Sequence, residues 1–257
     1  MATYHRPGVG TPILCIPGLT RNHRDFLPLL DVFPRQPFYL MDLRGRGQSD
    51  WDPQPERYQP QTYAADLSHW LAELPLSEFD WVGTSLGGIL TMALAESMAS
   101  RMRRVVLNDI GPVIELDGLN AIRARLGNQG PFDDWASAAQ AVRAGQLPDH
   151  PREQDWDERT QALCVQDGTQ VRFDYDPAIA MQASAGDPPE LWSFYQGLFD
   201  TPTLIVRGAR SDLFSQATLD QMLTRHPQAQ SVTVLDTGHA PTLKESEAKA
   251  ALQDFLT

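Results

Sequence analysis

The sequence predicts an α/β protein with a mostly parallel central sheet flanked by helices, on three observations. Short apolar runs recur along the 257 residues, turn residues end each run, and helix-like segments lie between several of them. The runs lack apolar–polar alternation, which is typical of parallel strands covered on both faces. Strands that alternate with helices form βαβ units, which build an open parallel sheet. The predicted strands are Ile13–Ile16, Phe38–Met41, Trp81–Val82, Val105–Leu107, Leu204–Val206 and Val232–Leu235.

Helix-like segments are predicted between these strands, as at Tyr63–Leu74 and Gly88–Ala99. The alternation stops between about Val113 and Phe199, where helix-like patterns such as Trp135–Ala144 dominate and no buried strand is evident. We therefore expect an α/β core of residues 1–112 and 200–257, with a helical cap inserted at 113–199. The cap is expected to lie over the carboxyl ends of the strands, where open α/β sheets bind their ligands.

The composition excludes several classes of protein. With 33 acidic against 21 basic residues, the net charge of −12 argues against a nucleic-acid partner, which requires a basic face. No polybasic cluster or long apolar run indicates a membrane partner. Cys15 and Cys164 are too few for a disulfide framework, and no Cys/His cluster indicates a metal. We expect a cytoplasmic protein that uses no cofactor or metal and acts on a small molecule.

A serine in a glycine-rich turn is the clearest chemical signal. Gly83-Thr84-Ser85-Leu86-Gly87-Gly88 follows a predicted strand and precedes a predicted helix, the context in which G-x-S-x-G presents a nucleophile. The turn is tight, so side chains at the positions of Gly83 and Gly87 are expected to collide with neighbouring backbone. The amino end of the following helix directs N–H groups and a positive dipole toward Ser85. The turn predicts Ser85 as a nucleophile.

A serine hydroxyl needs a base to take its proton. Of the six histidines, only His239 lies in a turn after the last predicted strand. His69 lies in a predicted helix, and His150 and His226 lie in hydrophilic connections beside prolines, so we expect these three at the surface. His239 is the predicted base.

An acid is expected to orient the imidazole and stabilise its cation. Asp212 follows the penultimate strand and gives the order Ser85, Asp212, His239, which is the nucleophile–acid–base order of strand–turn–helix hydrolases. Asp109, after the preceding strand, is the alternative, and it is equally suited to capping the Ile110-Gly111-Pro112 turn. The sequence favours Asp212.

Taken together, the chain resembles the α/β-hydrolase superfamily, and within it the capped serine hydrolases that include carboxylesterases, enol-lactonases and C–C hydrolases. Ile16-Pro17-Gly18-Leu19-Thr20 resembles the family's oxyanion loop, and the segment from Asp42 to Ser49 resembles its turn after the next strand. The resemblance implies an oxyanion hole formed by the backbone N–H groups of Leu19 and Leu86.

Two features depart from the family pattern. Few residues precede Ile13, so we expect a sheet that lacks the first N-terminal strand, with Thr3–Arg6 able to form one strand. Ala240 follows the histidine where C–C hydrolases of ring-cleavage products often have tryptophan, which disfavours that activity.

For substrate binding we single out Arg21, close to the oxyanion loop, and the cap residues Trp135 and Trp192. Arg44, in the glycine-rich turn, is expected to pair with a neighbouring acid. The leading hypothesis is a cofactor-free serine hydrolase of small carboxylic esters. C–C or enol-lactone hydrolysis by the same fold, and a ligand receptor with slow turnover, are the alternatives.

Overall fold

The computed structural model describes residues 1–126, 130–146, 149–150, 155–183 and 186–257, with backbone alone at 182–183. The strands are β1 Ala2–Arg6, β2 Ile13–Ile16, β3 Phe38–Asp42, β4 Phe79–Thr84, β5 Met102–Asn108, β6 Cys164–Asp167, β7 Gln170–Phe173, β8 Thr203–Gly208 and β9 Ala229–Val234. The α-helices are α1 Leu27–Val32, α2 Pro60–Glu73, α3 Leu86–Met98, α4 Leu116–Arg125, α5 Trp135–Gln146, α6 Trp156–Leu163, α7 Ile179–Ala183, α8 Trp192–Gln196, α9 Gln216–Arg225 and α10 Ser246–Leu256.

In the described part of the chain, seven strands form the central sheet in the order β1-β3-β2-β4-β5-β8-β9. Strand β1 pairs antiparallel with β3 at one edge, and all the other pairs are parallel. Each of the six apolar runs identified in the sequence lies in or overlaps one of these strands. The predicted mostly parallel sheet flanked by helices is therefore confirmed, and the strand expected at Thr3–Arg6 is β1.

Both faces of the sheet are buried, which explains why the apolar runs do not alternate with polar residues. Successive residues of β2 point to opposite faces, so Leu14 and Ile16 join one apolar cluster and Ile13 and Cys15 join the other. Helices α2, α3 and α9 supply buried residues to the first cluster, and α1 and α10 supply them to the second. None of the helices in the described ranges is long and apolar enough to span a bilayer.

The order of the strands determines where a site forms. The chain passes from β2 outward to β3 on one side, and then returns to β4 on the other side of β2. The loops that leave the carboxyl ends of β2 and β4 therefore diverge and leave a crevice between them. Leu19 and Ser85 lie in these two loops, and Asp109 and His239 follow β5 and β9 at the same edge.

The segment between β5 and β8 contains several helices, of which α5 lies close to the predicted Trp135–Ala144, but it is not wholly helical. Strands β6 and β7 form an antiparallel hairpin, which the sequence analysis did not predict. The two strands are short and half-exposed, so no buried apolar run marks them. The signal for this hairpin is the two-residue turn Gly168-Thr169, in which Gly168 adopts a φ of 59° at the first position.

Residues 164–176 of this insertion are fixed to the core by hydrogen bonds on two sides. Arg24 donates to the Asp174 carboxylate at 2.7 Å, and the Gly47 N–H donates to the Asp174 carbonyl at 3.0 Å. Tyr58 donates its hydroxyl proton to the Asp176 carboxylate at 2.5 Å. These contacts hold the insertion over the oxyanion loop and the glycine-rich turn.

Candidate active site

The turn around Ser85 has the constrained backbone that its sequence predicts. Ser85 has a φ of 51°, a value that a residue with a side chain rarely adopts, and α3 begins at the next residue. A Cβ on Gly87 would overlap the Ile16 carbonyl, and a Cβ on Gly83 would lie 2.7 Å from the Gly87 carbonyl carbon. Only glycine fits at these two positions, and the resulting turn presents the Ser85 hydroxyl to the crevice.

The hydroxyl of Ser85 is hydrogen-bonded to an imidazole, which is in turn hydrogen-bonded to a carboxylate. Ser85 Oγ lies 2.9 Å from His239 Nε2, and His239 Nδ1 lies 2.8 Å from Asp109 Oδ2. The carboxylate of Asp109 is fully buried. Because an ionised carboxylate only accepts hydrogen bonds, Nδ1 carries the proton and Nε2 is left to accept the serine proton. The arrangement is that of a nucleophile, a base and an orienting acid.

Asp109 is held in place by the neighbouring strand. It has a φ of 55°, a conformation that aspartate tolerates better than most residues. Its N–H donates to the Val206 carbonyl at 2.7 Å, and the Gly208 N–H donates to its Oδ1 at 2.7 Å. The end of β8 therefore fixes both the backbone and the carboxylate of Asp109, which leaves Oδ2 for His239.

Asp212, which the sequence favoured as the acid, does not contact His239 in the structure. Its side chain is exposed, and its backbone packs against α4, where a Cβ on Gly118 would lie 2.5 Å from the Asp212 carbonyl. The loop after β8 contacts the histidine loop through its backbone and not through the Asp212 carboxylate, since the Arg210 N–H donates to the Thr237 carbonyl at 2.9 Å. This loop braces the histidine loop through its backbone, and that geometry turns Asp212 outward. Asp109 occupies the position that the sequence analysis gave to Asp212.

The predicted oxyanion donors lie on either side of Ser85. Among hydrogen bonds between described residues, neither the Leu19 nor the Leu86 N–H has a protein acceptor. Leu86 is the first residue of α3, so its N–H lacks the partner that the helix gives to later residues. The Leu19 carbonyl accepts a 2.7 Å hydrogen bond from Nε of Arg46, a fully buried side chain. Arg46 thus fixes the backbone next to the Leu19 N–H.

A cavity of about 220 Å³ opens at Ser85 and His239, between the core and the insertion. Arg21 lines it, as expected from the sequence, and is ion-paired with Asp25. Trp135 and Trp192 do not line it: Trp135 is partly exposed and donates its indole N–H to Gln166, and Trp192 stacks against Arg225. Of the three predicted substrate-binding residues, the structure places only Arg21 at the cavity.

Arg44 pairs with Asp52 and Asp66, as the sequence analysis expected, and does not line the cavity. His69 is exposed, but the expected surface positions of His150 and His226 are wrong, because both residues are buried. His150 lines the cavity, and its burial together with the charges of nearby arginines lowers its pKa far below the ordinary histidine value. Hydrophilic neighbours in the sequence did not reveal that this part of the insertion packs against the core, where the Gly238 N–H donates to the Asp149 carbonyl.

Asn108 also lines the cavity and was not identified from the sequence. Its side-chain nitrogen donates to the Pro241 carbonyl at 2.9 Å and to the Thr84 hydroxyl at 3.1 Å. Its backbone carbonyl accepts the Ser85 N–H at 3.0 Å. Asn108 therefore ties the loop of His239 to the turn that carries Ser85. Its position, one residue before Asp109 at the end of a buried strand, was the available signal.

This fold and site define a class of protein. A profile of the alpha/beta hydrolase family matches residues 13–252, and the chain belongs to that family. The match spans nearly all of the central sheet together with the insertion and the loops that carry Ser85, Asp109 and His239.

Particular relatives are similar over nearly the whole chain. A 3-hydroxybutyrate-oligomer hydrolase of Cupriavidus necator is 33% identical over 95% of this chain and 88% of its own length. A 2-(acetamidomethylene)succinate hydrolase of Mesorhizobium japonicum is 30% identical over 90% of this chain and 82% of its own length. The crystal structure of an alpha/beta hydrolase from Novosphingobium aromaticivorans superposes with a TM-score of 0.93 at 35% identity, covering 99% of this chain and 92% of that one. Each of these three proteins is a hydrolase, and each is similar to this chain over most of its length.

Proposed function

We propose that this protein is a serine hydrolase of small carboxylic esters, with Ser85 as nucleophile, His239 as base and Asp109 as orienting acid. The observation that carries the proposal is the continuous hydrogen-bonded chain from Ser85 Oγ through both ring nitrogens of His239 to the buried Asp109 carboxylate. The Ser85 end of this series of hydrogen bonds lies at a cavity wide enough for a small acyl compound. Geometry of this kind activates a serine that is otherwise a poor nucleophile.

In the first half of the reaction, His239 Nε2 takes the Ser85 proton while Oγ bonds to the ester carbonyl carbon. The carbonyl oxygen gains the negative charge and is stabilised by the N–H groups of Leu19 and Leu86, each worth a few kcal/mol in such sites. The tetrahedral intermediate collapses, the bond to the leaving alkoxide breaks, and His239 gives its proton to that oxygen. The products are a free alcohol and an acyl group on Ser85.

In the second half, water takes the place of the alcohol. His239 removes a proton from the water, whose oxygen attacks the acyl carbon, and the same two N–H groups hold the second oxyanion. Collapse breaks the bond to Ser85 Oγ, and His239 returns the proton to the serine. Asp109 stays ionised throughout and stabilises the imidazolium that forms in both halves. Each step of this route is performed by the residues named above and water, so the route requires no metal ion or organic cofactor.

The relatives support an acyl substrate. The name of one specifies 3-hydroxybutyrate oligomers, and hydroxy acids form oligomers through ester bonds. The name of the other specifies 2-(acetamidomethylene)succinate, which contains an acylated nitrogen. Attack by a serine on a carbonyl carbon serves both bond types, and the ester is the easier to cleave because an alkoxide leaves more readily than an amide anion. We propose that the insertion acts as a cap that limits the substrate to a small size.

The test is steady-state hydrolysis of p-nitrophenyl acetate, butyrate and octanoate by the wild type and Ser85→Ala. We expect kcat/KM to fall with acyl length because the cavity holds only about 220 Å³. The Ser85→Ala variant should lose turnover by several orders of magnitude, and Ser231→Ala, which removes an exposed hydroxyl on β9, should match the wild type.

Each alternative has its own outcome. Turnover that persists in Ser85→Ala contradicts the proposal. Acylation of Ser85 without product release in the folded wild type indicates a ligand receptor with slow turnover, and the absence of any reaction with esters indicates C–C or enol-lactone chemistry.

A further inference from the structure

The charge of the cavity is opposite in sign to that of the protein. The whole chain carries a net charge of −12. Among the described residues that line the cavity, five are basic and three are acidic: Arg21, Arg24, Arg125, Arg159 and Lys244 against Asp25, Asp149 and Glu158. Asp174, outside this lining, pairs with Arg24, so the excess of basic side chains is small, but it is opposite in sign to the charge of the whole chain and favours an anion over a cation.

Arg21 lies close to the nucleophile. A Cβ placed on Gly18 would be 3.3 Å from Arg21 Cγ and 3.6 Å from Ser85 Cβ, so the two side chains flank the same glycine. Asp25 holds the guanidinium by its Nε, at 2.6 Å, and by one terminal nitrogen. The other terminal nitrogen makes no hydrogen bond within the described part of the chain. Asp25 therefore positions Arg21 and leaves one edge of the fork for a ligand.

A second arginine approaches from the insertion. Arg125, at the end of α4, donates to the Asp149 carboxylate at 2.9 Å through one terminal nitrogen. The Asp149 carbonyl in turn accepts the Gly238 N–H at 2.7 Å, directly beside His239. Arg125 is thus tied to the loop of the proposed base, on the side of the cavity formed by the insertion.

The buried His150 shows that these positive charges converge. Besides burial, four groups lower its pKa: Arg159, Arg21, His239 and Arg125, in decreasing order. Charges that arise from both the core and the insertion therefore act on one point of the cavity wall. Burial is the largest cause of the lowered pKa, and the charges of Arg159, Arg21 and Arg125 add to it in the direction that disfavours a proton and attracts an anion.

We propose that the cavity binds a substrate that carries a free carboxylate, and that Arg21, assisted by Arg125, recognises this group. The inference rests on the proposed esterase function and specifies its substrate class, namely esters of hydroxy acids or dicarboxylic acids with one ionised carboxyl group left. An arginine fork matches a carboxylate in geometry and charge.

A matched pair of substrates tests the proposal: 3-acetoxybutanoate, which is an anion, and 3-acetoxybutanamide, which has the same shape without the charge. We expect the wild type to favour the acid by about tenfold or more in kcat/KM, and added salt to reduce the preference. Arg21→Met should lower the acid-to-amide ratio by about 10- to 100-fold, the size of a lost charge-assisted hydrogen bond. Arg21→Lys should restore part of the ratio, and Arg125→Met should lower it less than Arg21→Met does.

The control is Arg143→Met, which removes an exposed arginine of the same insertion that does not line the cavity, and which should leave the ratio unchanged. A wild-type ratio near one, or an unchanged ratio in Arg21→Met, overturns the inference while the esterase function stands. No hydrolysis of either compound by a wild type that cleaves p-nitrophenyl acetate overturns the inference alone, whereas hydrolysis that persists in Ser85→Ala overturns the proposed function and this inference with it.

A groove next to the cavity is an alternative place for the substrate carboxylate. It adjoins the cavity at Glu158 and Lys244, and both lysines of the chain, Lys244 and Lys249, line it. If the acid preference is lost in Lys244→Met and Lys249→Met but is kept in Arg21→Met, the carboxylate is recognised in the groove, and the assignment to Arg21 is wrong.

Discussion

The carboxylate of Asp109 lies 2.8 Å from His239 Nδ1, although 130 residues separate the two in the sequence. The contact depends on three strands: β5 ends just before Asp109, β8 supplies the N–H that holds the other carboxylate oxygen, and β9 precedes His239. Because the sheet positions all three strand ends, the imidazole is oriented before any substrate arrives. Such preorganisation is what makes an orienting acid effective.

The first prediction concerns the choice of acid. Asp109→Asn should lower kcat/KM for p-nitrophenyl acetate by about 10³- to 10⁴-fold, because an amide fails to stabilise the imidazolium and favours the wrong tautomer. Asp212→Asn should stay within about threefold of the wild type, because its side chain is exposed and does not contact His239. Steady-state kinetics of both variants, with circular dichroism to confirm folding, provide the measurement. The reverse ranking would return the role to Asp212.

The second prediction concerns Arg46 as a positioning residue for the oxyanion loop. Arg46→Met removes the hydrogen bond to the Leu19 carbonyl and should lower kcat by about tenfold with little change in KM, a fraction of the loss of a whole oxyanion donor. Arg44→Met is the matched control, because Arg44 lies in the same turn but contacts Asp52 and Asp66 instead.

Both arginine variants should be less stable to urea than the wild type, so unfolding curves show whether each is folded under assay conditions. The prediction is that only Arg46→Met changes kcat. Equal losses of kcat in the two variants would mean that Arg46 acts through stability alone.

The third prediction concerns the nucleophile turn. Gly87→Ala places a methyl group against the Ile16 carbonyl, so either the turn or β2 has to shift. We expect a loss of kcat of at least about 100-fold, since the shift moves Ser85 and the Leu86 N–H together. Gly168→Ala is the control, because a Cβ there meets nothing within 4 Å and the residue does not line the cavity. Wild-type activity in Gly87→Ala would contradict the described backbone.

The fourth prediction concerns pH. Burial lowers the pKa of His226, whose ring accepts the Gln228 N–H at 3.2 Å and is 3.1 Å from the Thr203 hydroxyl. The unfolded chain therefore takes up this proton first as the pH falls below about 6.5, the ordinary histidine value. The free energy of unfolding should decrease there by up to about 1.4 kcal/mol per pH unit for each such proton.

Urea unfolding at several pH values between neutral and mildly acid checks this sign. In His226→Gln the decrease should be smaller, while His69→Gln, which removes an exposed histidine, should follow the wild type. A decrease of the same size in His226→Gln would show that other groups cause it.

Most of the site could be predicted because its signals are local. The glycines around Ser85 are imposed by contacts within one turn, and His239 was found because it follows the last strand. Asp109 and Asp212 both follow strands and both satisfy the same chain order, so order alone could not separate them. The choice depends on the positive φ of Asp109 and on the path of the loop after β8.

The insertion was harder to predict because its packing is not local. Trp135 and Trp192 are large aromatic residues of the kind that often line pockets. Residue type alone does not indicate which face of a helix meets the cavity. His150 and His226 have polar neighbours in sequence, yet contacts distant along the chain bury both. Arg21 was identified because it is close in sequence to the oxyanion loop. Arg125 is distant from that loop in sequence, and only the folding of the insertion over the core brings it to the cavity.

Trapping the acyl group on Ser85 tests the proposed nucleophile directly. Wild-type protein is quenched during turnover of p-nitrophenyl acetate, digested, and examined by peptide mass spectrometry. We expect one acetyl group on the peptide that contains Ser85, present also in Asp212→Asn, strongly reduced in Asp109→Asn and absent in Ser85→Ala. An acetyl group on another residue, together with unchanged turnover in Ser85→Ala, would contradict the proposed nucleophile.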